Sequence, residues 1–201
     1  AIKLAPVINY FKNKKKKFNA VALVTAQHRH MLDQVLRLFE IKPDYDLDLM
    51  TINQTLSSLT VKIMEECTNL FSKIAPDLIM VQGDTTTTFA ASIAAYYNKI
   101  PIAHIEAGLR TKNIFSPFPE EVNRRITSIV SKYHFAPTKS AQNNLISEGF
   151  KKENIFITGN TVIDSLLQAI KSIEKNKLNA KFDKIFHDEY GINFSTNKRT
   201  L

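Results

Sequence analysis

Between residues 20 and 175 short apolar runs alternate with longer amphipathic ones, an order that few architectures accept. Residues 20–25 (AVALVT), 78–81 (LIMV), 102–105 (IAHI), 134–137 (HFAP) and 155–158 (IFIT) have the length and character of buried strands. Residues 31–39, 55–74, 85–97, 120–133, 140–148 and 161–175 carry helical spacing. Pro76 stops the second of these helices. Strand followed by helix, repeated, predicts an α/β domain on a mainly parallel, doubly wound sheet. Such a domain normally opens with a strand whose following turn helps to hold a ligand. Here Ala1 leads directly into a helical pattern over 2–11. The reading is a domain over 1–175 that lacks its first strand. Residues 176–201 are then a linker or the start of a further domain.

In a parallel sheet the ligand crevice lies beyond the carboxyl ends of the strands, and three acids fall there. Asp84 follows the 78–81 strand through Gln82 and Gly83, and the threonines at 85–88 open the next helix. Free N–H groups and hydroxyls at such a helix start suit a sugar or phosphate. Glu106 follows the 102–105 strand, where an acid has no capping task. Glu120 enters the first turn of the helix behind Pro117 and Pro119. Taken singly, Asp84 reads equally as an N-cap and Glu120 as a helix-dipole residue. Together the three form a carboxylate cluster in which crowding lets one act as acid while another acts as base. Arg110, Arg124 and Arg125 are placed to balance them or to clamp a diphosphate. His104 and His134 lie within strands and read as core histidines, and His187 reads as exposed.

Composition narrows the function classes. The net charge of +8 invites a nucleic-acid reading, but its distribution argues against one. Lys12 and Lys14 to Lys17 supply five of the positive charges, and residues 171–201 hold seven basic against four acidic side chains. The remainder is balanced, without a basic stripe carrying interleaved aromatics. No apolar run reaches the ~18 residues of a membrane span. The single cysteine, Cys67, allows neither an internal disulfide nor a zinc site, so a reduced, cytoplasmic protein is expected.

Six stretches carry a closer likeness: TAQHRHMLDQ (25–34), GDTTTTFAASIAA (83–95), HIEAGLRT (104–111), SPFPEEVNRR (116–125), HFAPT (134–138) and FITGNTVID (156–164). In this order they closely resemble the bacterial, non-hydrolysing UDP-N-acetylglucosamine 2-epimerases. The opening AIKLAP (1–6) resembles the residues after that family's GTRPE loop. The resemblance implies the amino-terminal, Rossmann-like half of a two-domain, glycosyltransferase-B-like fold. It implies interconversion of UDP-GlcNAc and UDP-ManNAc by loss and re-addition of UDP through 2-acetamidoglucal, for cell-envelope polysaccharide synthesis. No metal and no nicotinamide or other cofactor is implied. Asp84, Glu106 and Glu120 match the family's essential acids. Lys3 and Arg124 match active-site basic residues, and Arg110 is expected to bind substrate with them. Gln27 and His28 match the segment that holds a second, regulatory UDP-GlcNAc. A homodimer without nucleic-acid or membrane partners is implied.

Several positions depart from the pattern. Gln82 stands where His is usual, His30 where Gln or Glu is common, and Asn53 where some members have Arg. The GTRPE loop and the HRREN motif of the second domain are not in the sequence. The alternatives are the hydrolysing relative, which releases free N-acetylmannosamine, and a non-catalytic sugar-nucleotide-binding module. The 201-residue chain made alone is expected to fold poorly and to aggregate through exposed strand edges. A sharp, reversible thermal transition from a soluble monomer would count against this. A version extended at both ends escapes the concern.

Overall fold

The computed structural model describes residues 1–26, 29–51 and 53–193. Six strands occur among them: β1 (Leu23–Val24), β2 (Tyr45–Asp46), β3 (Ile79–Gln82), β4 (Ile102–Ile105), β5 (Tyr133–Ala136) and β6 (Ile155–Ile157). All pairings are parallel. β1 pairs with β2, and β3-β4-β5-β6 form a four-stranded sheet in that order. The expected α/β architecture is therefore present, with the described strands divided between two sheets. Leu23 of β1 nevertheless packs on the same core as Val81 and Ile79 of β3. A Thr25–Thr87 hydroxyl bond of 2.9 Å ties the end of β1 to the helix after β3.

Helices connect the strands: α1 (Ala5–Lys12), α2 (Arg29–Leu38), α3 (Leu56–Ile74), α4 (Thr86–Tyr97), α5 (Glu120–Val130), α6 (Lys139–Ser147), α7 (Val162–Lys175) and α8 (Asn179–Tyr190). Sequence patterning predicts the first seven. It misses β2, which is two exposed residues, and α8, which lies where a linker or the start of a further domain is expected. Three of the helices start with one device. Thr55, Thr85 and Thr138 each accept the backbone N–H three residues on, satisfying a donor that the helix cannot. α3 ends at Ala75 in the left-handed region, just before Pro76.

The largest core lies between α3, α4 and the β3-β4 part of the sheet. Ile63 and Cys67 of α3 are fully buried there, and α4 contributes Ala90, Ala91, Ala94 and Ala95. Small side chains let α4 lie close to α3. Burial pushes the Cys67 thiol up to about 12, so this cysteine is packing rather than a nucleophile. A second core joins Ala107, Ala136, Ala141, Leu145 and Ile155 under α6. There Gly108 does what no other residue can. Its φ is +88°, and a Cβ on it would lie 2.3 Å from the Ala141 carbonyl oxygen.

Gly149 supplies a control, with φ +91° but open space around it. In the extended version, Gly149→Ala is expected to cost about 1 kcal/mol, the strain alone. Gly108→Ala is expected to cost on the order of 3 kcal/mol or more, because backbone must also move. Urea unfolding checks the pair, and equal costs would overturn the packing account.

Candidate active site

Register brings the first two acids together. Gln82 of β3 pairs with Ile105 of β4, so the turn after β3 lies beside the turn after β4. Gly83 follows at φ +73° and donates its N–H to the Ile105 carbonyl at 2.9 Å. Its α-carbon faces Glu106, whose Oε2 would lie 3.6 Å from a Cβ built there. Glu106 itself sits at φ +66°, a left-handed conformation that costs a non-glycine residue about 1 kcal/mol. Strain of this kind gathers where side-chain aim matters.

Glu106 is met by donors from three distant segments. Lys3 donates its Nζ to Oε1 at 2.5 Å, Asn160 donates its Nδ2 to Oε1 at 3.1 Å, and Gln82 donates its Nε2 to Oε2 at 2.5 Å. The Glu106 side chain is 11% exposed, so its pair with Lys3 is shielded far better than a surface pair. Lys3 is in turn fixed from behind. Thr161 donates to its carbonyl at 2.6 Å, and Ser165 donates to the Ile2 carbonyl at 2.7 Å. The start of α7 thus anchors the start of the chain at the carboxyl edge of the sheet.

Asp84 is held from the other side. Its Oδ2 accepts from Arg124 Nη2, and its carbonyl accepts from Asn123 Nδ2 at 2.9 Å. Both partners belong to α5. The N-cap of α4 is Thr85, so Asp84 is not occupied with capping. Glu120, half-buried in the first turn of α5, has no hydrogen-bond or ion-pair partner among the described residues.

Two expected site residues have other surroundings. Arg110 has a side chain only 5% exposed, and it grips Glu148 through Nε and Nη2, both at 2.7 Å. It also donates to the Leu109 carbonyl and Ser128 Oγ. These bonds bind the segment after Glu106 to α5 and α6, and none reaches the acids. Arg125 is exposed. Gln27 and His28, expected to hold a regulatory ligand, lie outside the described residues.

The structure also gives roles to residues that the sequence did not single out for the site. Asn160 and Gln82 are partners of Glu106, although Gln82 stood out in the sequence only as a departure from the family pattern. Glu121, next to the expected Glu120, is fully buried beside Arg124. The helix that carries it is inverted in polarity. Glu121, Asn123, Arg124, Thr127 and Ser128 are buried, whereas Ile129 is 70% exposed. A buried polar stripe on α5 departs from the apolar face that a core helix buries, and so makes this face part of the candidate site.

His104 is buried in β4, and its Nε2 lies 2.8 Å from the Gly83 carbonyl oxygen, within hydrogen-bond reach. His134, its register partner on β5, is equally buried and packs on Phe150 at 4.8 Å. Burial pushes both imidazoles down to about 4. Their folded values lie below the ordinary 6.5, so the unfolded chain binds more protons between the two values. Their contribution is complete above pH ~6.5 and is lost as pH falls toward ~4, on the order of 3 kcal/mol for each. Urea unfolding of the extended version at pH 7.5, 6 and 5 is expected to show falling stability. A His134→Gln variant is expected to show a shallower fall, and an identical slope would remove His134 from the account.

Among the described residues no three His, Cys, Asp or Glu side chains stand together as metal ligands. No described helix is long and apolar enough to cross a membrane.

Comparison with known proteins gives one consistent result. Residues 12–193 match the family model described as UDP-N-acetylglucosamine 2-epimerase. The UDP-N-acetylglucosamine 2-epimerase of Neisseria meningitidis is 50% identical over 186 residues, covering 92% of this chain and 50% of that protein. The crystal structure of the Neisseria meningitidis enzyme bound to UDP-GlcNAc superposes with a TM-score of 0.87 over 92% of this chain and 50% of its own. The Methanocaldococcus jannaschii enzyme in complex with UDP-GlcNAc and UDP gives 0.81 at 36% identity, over 92% of this chain and 50% of its own. The chain spans about half the length of the relatives it matches.

Proposed function

The chain belongs to the UDP-N-acetylglucosamine 2-epimerase family, and we propose that it supplies the amino-terminal half of a non-hydrolysing enzyme that interconverts UDP-GlcNAc and UDP-ManNAc. The observation that carries this is the pair of acids at adjacent strand ends, each held by its own cation. Lys3 holds Glu106 from 103 residues away, and Arg124 holds Asp84 from 40 residues away. A chain that folds to bring such distant charges together has a use for them.

Epimerisation at C2 needs a proton removed from one face of the sugar and returned to the other, so one carboxylate is not enough. In this reading the C2 proton leaves to a carboxylate as the bond to UDP breaks, which gives 2-acetamidoglucal. UDP then adds back while a proton arrives on the opposite face. Asp84, Glu106 and the unpartnered Glu120 are the proton-transfer groups. Lys3 and Arg124 balance charge around the departing diphosphate. Arg110 holds the segment after Glu106 rather than the substrate. The whole protein is read as a cytoplasmic homodimer serving cell-envelope polysaccharide synthesis, and sedimentation of the extended version tests the dimer.

Proton NMR of UDP-GlcNAc in D2O tests the reaction. It is run with the chain alone and with the extended version, whose flanking segments come from a full-length relative such as the Neisseria meningitidis enzyme. Deuterium is expected at C2, with the UDP-ManNAc anomeric signal, in the extended version only. Release of free N-acetylmannosamine would mean the hydrolysing reaction instead. No exchange from a folded extended version would leave a binding module and undo the roles given to the acids. Glu106→Gln is expected to lower the exchange rate by about 10²-fold or more while the protein stays folded.

A further inference from the structure

Glu121 has no task in this reaction scheme, yet it is 0% exposed. A buried carboxylate costs several kcal/mol unless it is paired. An acid in the first turn of a helix is ordinarily explained by the helix dipole, but that explanation needs no burial. Successive residues of a helix point ~100° apart. Glu120 accordingly stays half-buried and unpartnered, while Glu121 turns inward.

Inside, Glu121 Oε2 accepts from Arg124 Nη1 at 3.3 Å and from the Thr111 N–H at 3.2 Å. Oε1 has no partner among the described residues. Arg124 uses its other terminal nitrogen, Nη2, on Asp84. One guanidinium therefore lies between two carboxylates, one partly exposed and one enclosed. Thr111 closes the segment that begins at Glu106, and its hydroxyl donates to the Ser116 carbonyl at 2.6 Å. Glu121 thus also joins the strand-end turn of one acid to the cation of the other.

We propose that Glu121 is a positioning residue: it orients Arg124 toward Asp84 and takes a share of the cation's charge that Asp84 would otherwise receive whole. The proposal rests on the reading of Asp84 as a proton-transfer group. A carboxylate fully neutralised by a guanidinium is a poor proton acceptor, and a second carboxylate on the same guanidinium relieves that. Among the described residues, the other titratable or charged groups around the trio are Glu120 on α5, Glu106 with Lys3, and His104 in β4, with Arg110 and His134 beyond. Burial pushes both imidazoles down to about 4, so both histidines are neutral at neutral pH.

The test uses Glu121→Gln in the extended version. This change keeps the shape and removes the charge. The Asp84 side-chain carbon, identified by its loss in Asp84→Asn, is titrated by carbon-13 NMR. Asp84 is expected to titrate lower than in the unsubstituted protein by about half a pH unit or more. The acid limb of C2 exchange should move down with it, with kcat lowered about tenfold and KM within about twofold. A merely structural role would lower the folded fraction and leave the titration and the acid limb in place, and that result overturns the proposal. Should Glu121→Gln fail to fold, coupling is reciprocal and is read from the other end. In Asp84→Asn, the Glu121 carbon is expected to titrate lower by a similar amount, and an unmoved Glu121 overturns the proposal. Exchange by the unsubstituted protein is scored separately. Its absence rejects the epimerase reading, whereas the carbon titrations decide the role of Glu121 whether or not turnover occurs.

Discussion

The pairing of Gln82 with Ile105 sets the geometry of everything around it. Parallel strands end at the same edge, so register alone places the turn after β3 against the turn after β4. Both turns pass through left-handed backbone, at Gly83 and at Glu106. A glycine adopts that conformation freely, and at position 83 it also leaves room for the Glu106 carboxylate. Glu106 adopts it at a cost, which three donors offset. His104, one residue before the end of β4, lies within hydrogen-bond reach of the Gly83 carbonyl and so supports the turn from below.

Charge is then distributed by long-range partners rather than by neighbours in sequence. Lys3 arrives from the start of the chain, and α7 holds it there through Thr161 and Ser165. Arg124 arrives from α5 and stands between Asp84 and Glu121. Arg110, a third cation near the same edge, is committed to Glu148 and keeps α6 against the segment after Glu106. Low exposure strengthens each of these contacts and penalises each missing one. The group is therefore expected to respond as a unit, with effects of paired substitutions that do not add.

The strand–helix order was legible because hydrophobic periodicity is strong over β3 to α7, where each strand is an apolar run and each helix has an apolar stripe. The acids at 84 and 106 were legible for the same reason, since topology puts strand ends at the ligand edge. β2 was not, because two exposed residues carry no periodic signal. α8 was not, because its polar, lysine-containing sequence reads as a linker. α5 was read as a helix, but its buried face was not, since apolar spacing marks the wrong side when the inward stripe is Glu121, Arg124 and Ser128. Arg110 was read from the sequence as a substrate-binding residue beside Lys3 and Arg124. In the fold it pairs with Glu148, which lies 38 residues on and comes near only when α6 packs.

Sequence alone thus determined the class of fold, the sheet edge at which the acids stand, the family, and which residue types stand at each strand end. These follow from local pattern and from motifs that are contiguous in the chain. Tertiary structure decided which cation meets which carboxylate, which of two adjacent glutamates is enclosed, and which arginine is spent on holding the frame. Such choices depend on distances between residues 3 and 106, 84 and 124, and 110 and 148. No local pattern encodes those distances, because they come into being only when the helices pack on the sheet.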